Sequence, residues 1–197
     1  MKVAVLCEFS GVVRDAFIRQ GHQAISFDIL DSESDFGPHC KIDILSVAPE
    51  WWSQFDLIIA HPPCTFLAVS GARWFNKPGR LQKQNEAINF VKYISLLPVK
   101  KIVIENPISV LSSKWRKPDQ IIQPYMFGHG EVKATCLWLK GVSKLVPTDV
   151  VEGRLPRVHY CSPGKDRWKE RSRTLIGIAN AMASQWGKTE PSKVVEL

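Results

Sequence analysis

Four short strand-like runs constrain this chain more than any other feature: residues 3–7, 23–28, 55–60 and 101–105. The first, third and fourth are close to continuously apolar instead of alternating, as expected for strands covered on both faces, and the second, QAISFD, ends in an acid. Helical spacing separates them. Val13, Ala16, Phe17 and Gln20 recur at three and four residues before Gly21, a good helix stop. Ala87, Phe90, Val91, Ile94 and Leu97 do the same in residues 79–97, and Pro98 ends that segment. Strand, helix and strand in repetition predict an α/β fold, a mostly parallel sheet with helices on both faces. In such sheets the ligand site lies at the carboxyl ends of the strands. That rule gathers Glu8 to Gly11, Asp28, Asp43, His61 to Cys64 and Glu105-Asn106 on one rim.

Later segments are less regular. Residues 41–45 (KIDIL) read as a strand remnant, 135–139 as a strand, 144–167 as loop and 172–187 as a final helix. The length of 197 residues suits one domain over 1–187, with 188–197 as a flexible tail. No apolar run approaches the roughly 20 residues of a membrane span, and MKVAVLCEF reads as a first strand rather than a signal peptide. A cytoplasmic protein, monomeric or weakly dimeric, is expected.

The net charge of +7 favours a polyanionic partner. Arg154, Arg157, Lys165, Arg167, Lys169, Arg171 and Arg173 concentrate it late in the chain, interleaved with Tyr160 and Trp168. Basic side chains alternating with aromatics suit nucleic-acid phosphates and bases, although a solvated basic surface fits composition equally well. The five cysteines are irregularly spaced, with no CxxC pair. Reduced thiols are expected, and neither His39-Cys40 nor His159-Tyr160-Cys161 has the ligand spacing of a metal site.

Two rim residues carry reactive chemistry. Cys64 follows Pro62-Pro63, a stiff lead that fixes the thiol, and Glu105 ends the neighbouring run. A thiolate is a strong nucleophile and a carboxyl can support a ring nitrogen. Together they suit electrophilic substitution on a pyrimidine: sulfur adds at carbon 6, the carboxyl steadies nitrogen 3, and carbon 5 takes a methyl group. A buried structural thiol and a surface acid are the plainer alternatives.

The ordered set FSG at 9–11, PPC at 62–64 and ENP at 105–107 resembles the cytosine-5 DNA methyltransferases. IGIANAM at 176–182 and KATCLWLKG at 133–141 are similar to further segments of that family, and the whole chain resembles small phage- and prophage-type members. The resemblance implies a Rossmann-like class I methyltransferase fold using S-adenosylmethionine. It implies that Phe9, Ser10, Gly11, Asp28, Asp43, Pro62 and Asn180 line the cofactor site. Cys64 is then the nucleophile, with Pro63 in its loop, Glu105 on the flipped cytosine and Asn106 as a brace. Arg167, Lys169, Arg171 and Arg173 would meet DNA. No metal is implied.

The chain departs from the family pattern in three places. Val12-Val13 stands where a second glycine is frequent, His61 where glycine is usual, and the Gly and Asn of IGIAN are not adjacent. Residues 142–170 form a short, loop-rich basic insert where the family carries a recognition domain. Short-context or single-stranded DNA is therefore the expected acceptor. A pyrimidine nucleotide, RNA, or a non-catalytic nucleic-acid-binding role are the alternatives. An amino-methyltransferase is disfavoured, because His-Pro-Pro-Cys lacks both the aromatic and the acid or amide of that loop.

Overall fold

The computed structural model describes residues 1–160, 164–165 and 167–188. A seven-stranded sheet runs through it in the order β3-β2-β1-β4-β5-β7-β6. Its strands are β1 (Lys2–Leu6), β2 (Gln23–Asp28), β3 (His39–Lys41), β4 (Leu57–Ala60), β5 (Lys101–Pro107), β6 (Gln120–Ile122) and β7 (Thr135–Lys140). The first five are parallel. β7 runs antiparallel between β5 and β6, so it alone opposes the rest. The helices are α1 (Val12–Arg19), α2 (Arg80–Ser95), α3 (Leu111–Lys114), α4 (Arg157–Tyr160), α5 (Arg167–Ser172) and α6 (Ile176–Trp186).

The pleat divides the central strands between two cores, which is why β1, β4 and the body of β5 are apolar at successive positions. Val3, Val5, Leu57, Ile59 and Val103 face one side and pack with Phe17 of α1 and Ile178, Met182 and Trp186 of α6. Ala4, Leu6, Ile58, Ala60, Ile102 and Ile104 face the other, against Ile88, Val91 and Ile94 of α2 and Trp52. Fully burying side chains of this size stabilises by roughly 1.5–3 kcal/mol each before the entropy of ordering is subtracted. α6 comes close because Gly177 has no side chain: a Cβ there would collide with the Phe127 carbonyl.

Three expectations need correction. The strand expected at 41–45 lies earlier, at His39–Lys41, because Asp43 caps a 3₁₀ turn over Ile44–Ser46, its Oδ1 accepting from Leu45 N at 2.9 Å. The helix expected over 172–187 begins later, as α6 at Ile176, and a separate short helix, α5, ends at Ser172 before it. The loop expected over 144–167 contains the short α4. Cys161 and the 189–197 part of the expected tail lie outside the described residues.

Beneath the rim, α1 carries a buried polar network that holds the loop after β2. Arg14 is fully buried. Its Nε donates to Asp15 Oδ1 at 2.7 Å, its Nη1 to Ser26 Oγ at 2.9 Å and Ser32 Oγ at 3.2 Å, and its Nη2 to the Ser34 carbonyl at 2.9 Å. Ser34 Oγ closes the ring by donating to Asp15 Oδ2 at 2.5 Å. His39 belongs to the same structure, bonded to Ser26 Oγ and the Leu30 carbonyl, both at 2.9 Å. Gly11 caps α1 with φ 73°, and any Cβ there would press on the Arg14 guanidinium.

Candidate active site

Register sets the rim. Leu6 of β1 pairs with both Phe27 of β2 and Ala60 of β4, and Ala60 pairs with Ile104 of β5. The next residue on each strand is therefore Asp28, Cys7, His61 or Glu105, side by side across four strands. β5 continues past β4 because β7 pairs with it as far as Pro107, placing Glu105 opposite Leu137 and Asn106 opposite Cys136.

A cavity of about 430 Å³ opens above this row. Cys7 to Ser10, the His61 to Thr65 loop, Glu105 to Pro107, Lys133 and the Trp168 to Thr174 region contribute to its wall. The loop is pinned: the buried Asn106 donates from Nδ2 to the Pro62 carbonyl at 2.8 Å. Beyond it, the Cys64 carbonyl accepts from Leu67 N at 3.0 Å and Ala68 N at 2.9 Å, turning the chain away at once. Proline at 62 and 63 removes two backbone donors and fixes φ, so Cys64 is delivered on a stiff lead.

His61 and Glu105 form a buried pair, Nδ1 to Oε2 at 2.9 Å, with side chains only 9% and 13% exposed. Burial alone would push the imidazole down, but the hydrogen bond and charge of Glu105, with Glu8 adding, raise it above its ordinary value. Burial would lift the Glu105 carboxyl, yet His61 and then Lys133 hold it below its ordinary value. Burial, and next the Glu105 charge, pushes the Cys64 thiol up; Lys133 and Arg171 oppose this. Glu8 is raised by burial although its oxygens accept from Val13 N at 2.6 Å and Arg14 N at 3.2 Å.

This pair predicts a window of stability. The raised His61 contributes fully below its ordinary 6.5 and loses its contribution as pH rises through the folded value. The depressed Glu105 contributes fully above its ordinary 4.5 and loses its contribution as pH falls through the folded value. The stability advantage of the wild type over a His61→Asn/Glu105→Gln double variant is expected to be largest between 4.5 and 6.5 and to narrow on both sides. Denaturant titrations across pH measure it; a pH-independent difference would refute the pairing.

Other expected site residues are placed as follows. Phe9 and Ser10 line the cavity, and Phe9 meets Trp168 at 5.6 Å between ring centroids. Asp28 is buried, its Oδ1 accepting from Leu30 N at 3.0 Å, and burial raises its pKa. Asp28 and Asp43 add to the burial that pushes the Cys7 thiol up, so both stand near the β1 end. Arg171 and Arg173 reach the cavity wall, but Arg173 also clasps Glu33 through Nε at 2.9 Å and Nη2 at 2.8 Å. Arg167 and Lys169 sit on α5, with Lys169 over the Trp168 ring at 5.8 Å.

Asn180 does not join them. It is exposed on α6, and its carbonyl accepts from Gln20 Nε2 at 3.4 Å, at the end of α1 remote from the rim. Among the described residues no cluster of His, Cys, Asp or Glu could hold a metal. No described helix is long and apolar enough to cross a membrane.

Sequence reasoning left out two features. Lys133, just before β7, lines the cavity and acts on Glu105, His61 and Cys64. Its signal was a lone cation ahead of an apolar strand. A second basic ridge follows Cys64: Arg73 and Lys77 lie over Trp74 at 4.9 and 4.5 Å, and Arg80 and Lys83 over Phe66 at 4.6 and 5.6 Å. Its signal was available, because no Asp or Glu occurs from His61 to Asn85.

Strand order and the single antiparallel β7 give a Rossmann-like α/β fold, shared with the solved structures it resembles. Among solved structures the chain is similar to one described as a candidate DNA modification methyltransferase encoded within a prophage of E. coli. The TM-score is 0.54 at 15% identity, over 83% of this chain and 55% of the other. It is also similar to a DNMT2 variant from Spodoptera frugiperda, with TM-score 0.50 and 16% identity, over 79% of this chain and 54% of that one. The chain thus spans about half the length of the solved structures it resembles. No protein-family model and no curated protein matches the sequence.

Proposed function

We propose that this chain transfers a methyl group from S-adenosylmethionine to carbon 5 of cytosine in DNA. The observation that carries this proposal is the meeting of Cys64 and Glu105 in one cavity, on a loop that Asn106 ties down. A cytosine entering there would meet a nucleophile and a carboxyl from two different strand ends. Cys64 adds through Sγ to carbon 6, giving up its thiol proton to solvent. Glu105 holds a proton at ring nitrogen 3. Burial excludes water and strengthens both interactions.

The residues at the β1 and β2 ends fit the cofactor. Asp28 offers a carboxylate for ribose hydroxyls, Asp43 stands nearby, and Phe9 with Trp168 gives an apolar wall. When bound, the cofactor supplies an electrophilic methyl group. Pro62 and Ser10 complete the wall between this end and Cys64.

A polymeric acceptor is favoured over a mononucleotide by the two basic ridges that flank the cavity, one on α5 and one from Arg73 to Lys83. The second carries aromatic faces beside its cations, a combination that suits phosphates and unstacked bases. A cytosine must leave the stack to enter, which costs a few kcal/mol in duplex and less in single strands. Single-stranded or short-context DNA is therefore the substrate to try first.

Labelled cofactor incubated with single-stranded DNA, duplex DNA, RNA and cytidine monophosphate tests the proposal. Label in DNA is expected, and label only in the mononucleotide would overturn it. The ridge predicts a second result. Replacing Arg73, Lys77, Arg80 and Lys83 together by Gln should lower DNA affinity about 10-fold or more at moderate salt. It should also flatten the salt dependence, because every phosphate left without its cation takes roughly 0.7–0.9 off the slope. An unchanged slope would remove this surface from the interface.

A further inference from the structure

Glu105 has a structural difficulty as the residue that protonates the ring. In the free protein it shares a buried hydrogen bond with His61, at 2.9 Å, both side chains are largely out of solvent, and the raised histidine and lowered carboxyl place the shared proton on the ring. A carboxylate held that way has no proton to give. The partner that holds it does.

Resting on the activity proposed above, we infer that His61 is the proton store for Glu105, a positioning residue that acts on the cytosine through the carboxyl it touches. Three geometric facts support this. His61 is the first residue beyond β4 and Glu105 occupies the matching place on β5, so the ladder itself fixes their contact. The backbone cannot drift, since His61 N donates to the Leu6 carbonyl at 2.9 Å and Pro62 follows, tethered to Asn106. His61 Nε2 is buried with no hydrogen-bond partner among the described residues, so the ring's polar commitment is to Glu105 alone.

The charged neighbours agree. Glu8 from the β1 end favours the protonated ring, Lys133 from the segment before β7 disfavours it, and Glu105 is the strongest influence after burial. The step balances. The His61 Nδ1–H bond breaks and an O–H bond forms on Glu105 Oε2, leaving a neutral imidazole and a neutral carboxyl. Rotation about the C–O bond turns that hydrogen toward the ring. As Cys64 Sγ bonds to carbon 6, the electron pair displaced onto nitrogen 3 takes the proton, and Glu105 is again a carboxylate. After methyl transfer the carbon 5 proton leaves to solvent, the sulfur–carbon 6 bond breaks, and nitrogen 3 returns its proton through Glu105 to His61.

Substitution of His61 by Asn keeps an N–H donor for Glu105 but stores no proton, and His61→Gln is a second variant should Asn not fold. Both are expected to lower kcat roughly 100-fold near pH 8, the scale of general acid catalysis, with the KM for S-adenosylmethionine unchanged. The alkaline limb of the rate profile is expected at lower pH in the variants, where Glu105 must hold the proton by itself. The His61 ring followed by NMR should titrate above an ordinary histidine in the wild type and lower in Glu105→Gln. Trapping on an oligonucleotide carrying 5-fluorocytosine separates the two proposals. If the wild type neither methylates nor traps, the proposed activity fails and this inference with it. If it does both and the variants share its rate profile, only the role of His61 is overturned.

Discussion

Replacing Cys64 by Ala is expected to abolish methyl transfer, a loss of roughly 10³-fold or more, while cofactor binding and folding survive. The expectation follows from where the thiol sits. Cys64 is only partly buried, and the turn beyond it is held by its own carbonyl, which the substitution keeps. Removing one sulfur from such a position leaves no large cavity. The cost to stability should stay within about 1 kcal/mol, well below that of a core truncation. What disappears is the bond to carbon 6, without which carbon 5 is not nucleophilic. The measurement is labelled methyl incorporation into DNA, beside calorimetry with S-adenosylhomocysteine. Undiminished activity in Cys64→Ala would remove the covalent mechanism. Loss of both activity and cofactor binding would instead make the thiol part of the cofactor site.

The second large effect lies beneath the chemistry. Arg14→Met is expected to destabilise the protein by about 3–5 kcal/mol, because it leaves Asp15 buried without its charge partner. For a chain of this size that lowers Tm by about 10 °C. Met matches the length of the arginine stem, so the loss reports on the guanidinium rather than on packing volume. The same guanidinium holds Ser32 and Ser34 in the loop that leads from Asp28 to β3. Weaker cofactor binding is therefore expected even at temperatures where the variant is folded. Ser32→Ala removes one of these bonds and should cost about 1 kcal/mol. A Tm change below about 2 °C in Arg14→Met would refute the network as the support of that loop. The Arg173–Glu33 pair near it is 40% and 31% exposed, so its removal should cost at most about 1 kcal/mol.

Much of the fold was legible because strands buried on both faces are largely apolar, as β1, β4 and the body of β5 are. The runs at 3–7, 23–28, 55–60 and 101–105 match β1, β2, β4 and β5 to within two residues at either end. β3 was legible only as a remnant placed too late, at 41–45, and β6 was not legible at all. Each has three residues, too few for any pattern, and each exists only because a longer neighbour offers an edge. The final helix was read as starting at 172, yet it begins at Ile176, although Leu175 keeps the spacing of Ile178, Met182 and Trp186. Nothing local to 173–175 announces the later start.

For the site, the sequence by itself determined which chemical groups arrive at the strand ends: a thiol behind two prolines, a carboxyl before an asparagine, an acid after β2. Residue type and strand position are local properties, and a parallel sheet collects its strand ends on one rim. Tertiary structure alone decided which of these groups touch. The register Leu6–Ala60–Ile104 sets His61 against Glu105, two residues 44 positions apart in the chain, and turns an unexplained histidine into the carboxyl's only close charge partner among the described ion pairs. Folding also set Asn180 apart from the cavity and brought Lys133 into it. Contacts of that kind depend on ladder register and helix breaks, which no stretch of the chain encodes where it stands.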